Sequence, residues 1–125
     1  MPVVRRGEVR RTETPNAVMT TFASPTLGGS GHALWQVEMA PGAAGPEHAM
    51  DAEQIWRAVA GGATVRLAGA DDVPLAPGDT VVLPAGVVRR IVADADTGFT
   101  AVVTGAGGAH ALVAGAEPVV PAWIA

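Results

Sequence analysis

Glycine and proline punctuate this chain so often that no long helix survives between them. There are 16 Gly and 10 Pro in 125 residues, and both residue types break helix interiors. The segments they leave are short and rich in β-branched and apolar residues, the pattern of strands joined by tight turns. Ala33 to Met39 shows it most clearly: Trp35, Val37 and Met39 fall on one face, and Gln36 and Glu38 on the other. Period two marks a half-buried strand. The chain is therefore predicted to be all-β, a sandwich or barrel of short strands.

Strands are expected at 17–23, 33–39, 54–59, 63–67, 80–83, 87–93 and 99–104, with a short edge strand at 111–113. Gly61-Gly62 reads as the turn of a hairpin joining 54–59 to 63–67. Residues 1–16 read as a polar, solvated arm, and the tail carrying Pro118, Pro121, Trp123 and Ile124 as a cap over one end of the barrel. The length fits one domain over 1–125. Cysteine is absent, which excludes disulfides and thiolate metal sites. All 8 cationic residues are arginine, so lysine Schiff-base chemistry is excluded as well. A net charge of -4 argues against nucleic acid as a partner. No apolar run reaches the roughly 20 residues of a membrane span, and no apolar leader follows the N-terminal arginines. A cytoplasmic location is the expectation.

Two turn-strand units carry the chemistry. In the first, Gly42 is followed by His48, Met50, Gln54 and Gly61; in the second, Gly78 is followed by Pro84, Gly86, Arg89 and Ala93. These spacings resemble the two motifs of the cupins, G-x5-H-x-H-x(3,4)-E-x6-G and G-x5-P-x-G-x2-H-x3-N, over residues 42–61 and 78–93. The resemblance implies a small cupin-type β-barrel, a jelly roll or double-stranded β-helix. In cupins, the histidines and glutamate of the first motif and the histidine of the second hold one divalent metal. This chain keeps a histidine only at His48. Met50, Gln54 and Arg89 stand at the other ligand positions.

Those replacements change the chemistry. A thioether is a soft ligand, an amide oxygen is a weak neutral donor, and a guanidinium has no lone pair to give. Glu47, Asp51 and Glu53 neighbour the motif positions, but alternation turns adjacent side chains to opposite faces unless the chain bends. The expectation is a barrel without a metal cofactor. The alternative is one divalent metal ion on His48 and Gln54.

His48 and Arg89 are the candidate catalytic residues. His48 can move a proton near neutral pH, and Arg89 can hold a carboxylate, enol or phenolate by paired hydrogen bonds. Gln54, Met50, Trp56 and Gln36 are the candidate substrate-binding residues. Such a set suits isomerase, lyase or cyclase chemistry on a small organic ligand, as in the sugar epimerases and polyketide cyclases among cupins. The alternatives are a ligand-binding cupin without catalysis and a metal-dependent oxygenase or isomerase with a reduced ligand set. Structural roles compete for the same residues: Arg89 could pair with Glu38 or Asp51, and Trp35 and Trp56 could simply fill the core. Arg90 is expected at the surface; His32 and His110 carry no expected role. Open barrel edges suggest a homodimer, paired or exchanged through residues 1–23.

Overall fold

A computed structural model describes residues 1–125. Eleven strands follow in order: β1 (Arg10–Glu13), β2 (Val18–Ala23), β3 (His32–Met39), β4 (Ala49–Met50), β5 (Gln54–Gly61), β6 (Ala63–Leu67), β7 (Val73–Leu75), β8 (Thr80–Leu83), β9 (Arg89–Ala93), β10 (Phe99–Ala106) and β11 (Ala111–Leu112). The only helical turns are two short 3-10 segments, Arg6–Glu8 and Ala122–Ile124. No helix is long and apolar enough to cross a membrane.

The strands form two walls. One is a six-stranded antiparallel sheet in the order β1-β2-β3-β10-β5-β8. The other contains β7-β6-β9 and β11-β4. Bridges Ala44↔Val92 and His48↔Arg89 join the chain ahead of β4 to β9, which links the two small sheets. This is the all-β barrel expected from the strand pattern, in the jelly-roll form that the cupin resemblance implies. Alternation decides what each wall buries. On β3, Ala33, Trp35, Val37 and Met39 face inward; on β10, Phe99, Ala101 and Val103 do; on β5, Gln54, Trp56 and Ala58 do. Val65, Leu75 and Ile91 meet them from the opposite wall.

The expected 54–67 hairpin does not form. β5 pairs with β10 and β8, whereas β6 pairs with β7 and β9. Gly61-Gly62 carries the chain from one wall to the other. Gly61 has φ +69°, and a Cβ there would lie 2.1 Å from the Gly98 carbonyl oxygen. The Gly62 amide donates to that same oxygen at 3.0 Å. The glycines thus permit a crossing of backbones, and both strands can turn an apolar face to one interior. The N-terminal arm is also more ordered than expected. β1 pairs with β2 from Arg10↔Thr21 to Glu13↔Val18, and Arg10 donates to Ser24, Thr26 and the Ala125 carbonyl.

Candidate functional site

His48 and Arg89 are fastened to each other through their backbones. The His48 amide donates to the Arg89 carbonyl at 3.1 Å, and the Arg89 amide donates to the His48 carbonyl at 2.8 Å. The Gly86 amide donates to the Met50 carbonyl at 2.8 Å, tying the second turn-strand unit to the first. Met50, 1% exposed, is buried beside them. Gln54 and Trp56 come from the six-stranded sheet, on the inward face of β5. All five side chains line one cavity of about 430 Å³.

Arg89 is 2% exposed and has no carboxylate partner. Its Nη2 donates to Gln54 Oε1 at 2.7 Å, and Trp56 Nε1 donates to the same oxygen at 3.1 Å. Arg89 Nε and Nη1 are buried without a partner. Burial pushes its pKa down to about 10, so the guanidinium remains charged at neutral pH. His48 Nδ1 lies 2.9 Å from the Pro46 carbonyl oxygen. A carbonyl only accepts, so Nδ1 carries the hydrogen and Nε2 keeps its lone pair. The His48 pKa is lowered, first by desolvation and also by the charge of Arg89, with the Pro46 hydrogen bond opposing. The site therefore combines a fixed cation with a neutral base.

Most of the rest of the cavity is apolar, with Thr14 and Asn16 as further polar residues in the lining. Met19, Trp35, Val37 and Met39 form one side and Ile91 another. Val119, Val120, Pro121 and Trp123 of the C-terminal segment also line the cavity. Several hydrogen bonds hold this segment: Thr21 Oγ1 donates to the Trp123 carbonyl at 2.7 Å, the Gly108 amide donates to the Ile124 carbonyl at 2.9 Å, Ala111 and Val119 exchange backbone hydrogen bonds, and Arg10, Ser24 and Thr26 donate to the Ala125 carbonyl. The tail predicted as a cap is thus a wall of the cavity. Sequence reasoning singled out neither its valines nor Met19 and Met39 as site residues. The alternation of β2 and β3 was the available signal.

Other expectations need correction. Gln36 does not reach the cavity. It sits on the outer face of β3 and donates to Glu38 Oε1 at 2.8 Å. The inward face went to Trp35, Val37 and Met39, because apolar side chains gain most from leaving water. The possible partners of Arg89 are also elsewhere: Glu38 accepts from Gln36, and Asp51 accepts from the His110 amide at 2.7 Å and meets its Nδ1 at 2.9 Å. His110, expected to have no role, thus anchors the start of β11 to the corner after β4. Glu47 and Glu53 are exposed, so no acid turns inward.

These groups do not form a donor set for the divalent metal that cupins hold. No three His, Cys, Asp or Glu side chains gather anywhere. Gln54 Oε1 already accepts two hydrogen bonds, and the charged Arg89 would repel a cation.

The cupin domain family model matches residues 35–105. Solved structures similar in fold include the polyketide cyclase RemF from Streptomyces resistomycificus, with TM-score 0.76 and 17% identity over 94% of this chain and 87% of that one. KdgF from Halomonas sp. aligns with TM-score 0.68 and 21% identity, covering 85% of this chain and 94% of that one. The DMSP lyase DddQ from Ruegeria pomeroyi aligns with TM-score 0.70 and 23% identity, covering 91% of this chain and 61% of that one. At such identities the likeness is one of fold. No curated protein matches the chain in sequence.

Proposed function

The chain belongs to the cupin domain family, and from that premise we propose that it is a small-molecule enzyme working by acid/base chemistry without a metal. His48 is the base and Arg89 holds an anionic oxygen of the substrate. The observation that carries this reading is the pairing, on one cavity wall, of a buried guanidinium with unpartnered donors and an imidazole whose Nε2 is free.

The chemistry follows from those two groups. His48 Nε2 removes a proton from the carbon beside a carbonyl, and the C–H electron pair moves into an enolate. Arg89 stabilises the oxygen where that charge develops. The imidazolium then returns the proton. Returned to a different carbon, it completes an isomerisation. Given to a departing group, it completes an elimination. Given to the alkoxide formed when the enolate carbon attacks a second carbonyl, it completes a cyclisation. A cyclase and a lyase stand among the proteins of similar fold, which supports this range of reactions without choosing within it.

The test is exchange of α-protons in D2O, followed by NMR with carboxylate-bearing ketones as probes. The wild-type protein is expected to catalyse exchange, and His48→Gln to lose it while still binding the probe. Exchange that survives in His48→Gln would refute the assignment. A second reading, a binding protein without catalysis, is favoured by one feature: a backbone carbonyl, rather than a carboxylate, orients His48. Binding without exchange in the wild-type protein would establish it.

We also propose a homodimer. β1 lies at one end of the six-stranded sheet and β2 is its only strand partner, so its outer edge is open to a second copy. Light scattering that gives the monomer mass of 12.5 kDa at micromolar concentration would refute this.

A further inference from the structure

We propose that the neutral amide at position 54 makes this cavity a receptor for a single carboxylate: Gln54 orients Arg89 without neutralising it. The inference rests on the anion-holding role given to Arg89 above and names the ligand class and the residue that selects it.

The hydrogen-bond inventory carries the argument. Gln54 Oε1 accepts from both Arg89 Nη2 and Trp56 Nε1, so the acceptor end of the amide is used and its NH2 group is the remaining polar end. Four of the five guanidinium hydrogens form two forks, and each fork contains one of the two Nη2 hydrogens. Gln54 engages Nη2 alone. Whichever fork it interrupts, the other stays whole. A carboxylate has the two coplanar oxygens that such a fork fits.

Charge points the same way. The ion pairs of the molecule are Arg11–Glu13, Arg66–Asp72 and His110–Asp51; Arg89 is in none of them. A buried cation needs a counter-ion, and here no side chain supplies one. His48 beside it favours its neutral form, so the site offers one net positive charge. A single carboxylate matches that charge, whereas a second carboxylate on the ligand would find no second cation, since Thr14 and Asn16 are neutral and the other lining residues are mostly apolar. His48 Nε2 is the acceptor left over for an acidic proton on the same ligand.

A glutamate at 54 would keep the geometry and change the charge. It would pair with Arg89 internally and repel an incoming anion. Gln54 is thus a positioning residue, and its neutrality is the selective feature.

The experiment uses 2-naphthoate, its amide 2-naphthamide and naphthalene-2,6-dicarboxylate as probes, read by calorimetric titration and thermal melting at pH 7.5. The wild-type protein is expected to bind 2-naphthoate at least about tenfold more tightly than either of the others. Gln54→Glu is expected to weaken 2-naphthoate roughly a hundredfold, to leave 2-naphthamide within about threefold, and to melt higher than the wild type without ligand. Arg89→Met, which removes the unpaired charge, is expected to melt higher as well and to lose the preference for the acid over the amide. This second variant keeps the test open if Gln54→Glu fails to fold. A wild-type protein that treats acid and amide alike overturns the proposal. So does a Gln54→Glu or Arg89→Met protein that keeps the wild-type preference, or one that folds and melts lower. Proton exchange is a separate readout: a protein that selects 2-naphthoate through Arg89 yet exchanges no α-protons sinks the enzyme reading and leaves this one standing.

Discussion

Replacing Thr21 by valine would test whether the C-terminal segment is part of the cooperative fold. Thr21 is fully buried on β2, and its hydroxyl donates to the Trp123 carbonyl at 2.7 Å. Valine matches threonine in shape and lacks the hydroxyl, so the barrel interior keeps its packing while Trp123 loses its donor. A carbonyl left without a partner costs about 1–3 kcal/mol when buried, and the Trp123 carbonyl is partly buried. A chain of 125 residues gains about 0.26 kcal/mol/K in unfolding entropy near 60 °C. A loss of about 2 kcal/mol therefore lowers the melting temperature by roughly 8 °C. Calorimetry measures that drop, and hydrogen exchange at the Ile124 amide locates it, since this amide donates to Pro121 within the same segment. Faster exchange there, together with a lower melting temperature, is the expected result. A melting temperature within about 1 °C of the wild type, with unchanged exchange at Ile124, would refute the claim that this hydrogen bond pins the cavity wall.

Three further outcomes follow from the geometry. Gly61→Ala adds a Cβ 2.1 Å from the Gly98 carbonyl oxygen at a φ of +69°; it should cost roughly 3 kcal/mol or more, read as a shift in urea midpoint, and a midpoint near wild type would show that the crossing can relax. Because burial lowers the His48 pKa, the unfolded chain binds this proton more readily than the folded one. The residue's contribution to stability is present above its ordinary pKa of about 6.5 and is lost as pH falls through the lowered value; His48→Gln should flatten that part of the stability profile, and an identical profile would contradict it. Tag-free protein purified without chelator should contain well under one metal ion per chain by elemental mass spectrometry, and one equivalent that disappears in His48→Ala would overturn the metal-free reading.

Much of the architecture was legible because alternation reports which side of a strand is apolar. It does not report which strand lies alongside. β5 ends on Gly61 and Gly62 alone separates it from β6, which looks like a hairpin, yet the neighbours of β5 are β8 and β10. β1 escaped notice for a different reason: Arg10, Arg11, Thr12 and Glu13 carry no apolar face, and the strand exists through its pairing with β2. Motif spacing brought His48, Met50, Gln54 and Arg89 together correctly, since the Pro-Gly turns fix where the following strands begin. It could not reveal that Arg89 lacks a carboxylate, because that depends on Asp51 turning to His110 and Glu38 to Gln36. Sequence left the face assignment of Gln36 open, and the apolar interior decided it.

The position of β10 between β3 and β5 has a consequence for how the protein comes into being. β2 and β3 are sequence neighbours and can zip together early. The other edge of β3, and the edge of β5 that β10 will occupy, stay bare until Phe99–Ala106 arrives from the far end of the chain. Bringing such distant segments together carries a loop-closure penalty before any contact repays it, so folding should take milliseconds to seconds rather than microseconds. During that interval two unpaired strand edges are open to foreign strands, and a nascent chain halted before β10 would be the form most prone to aggregate.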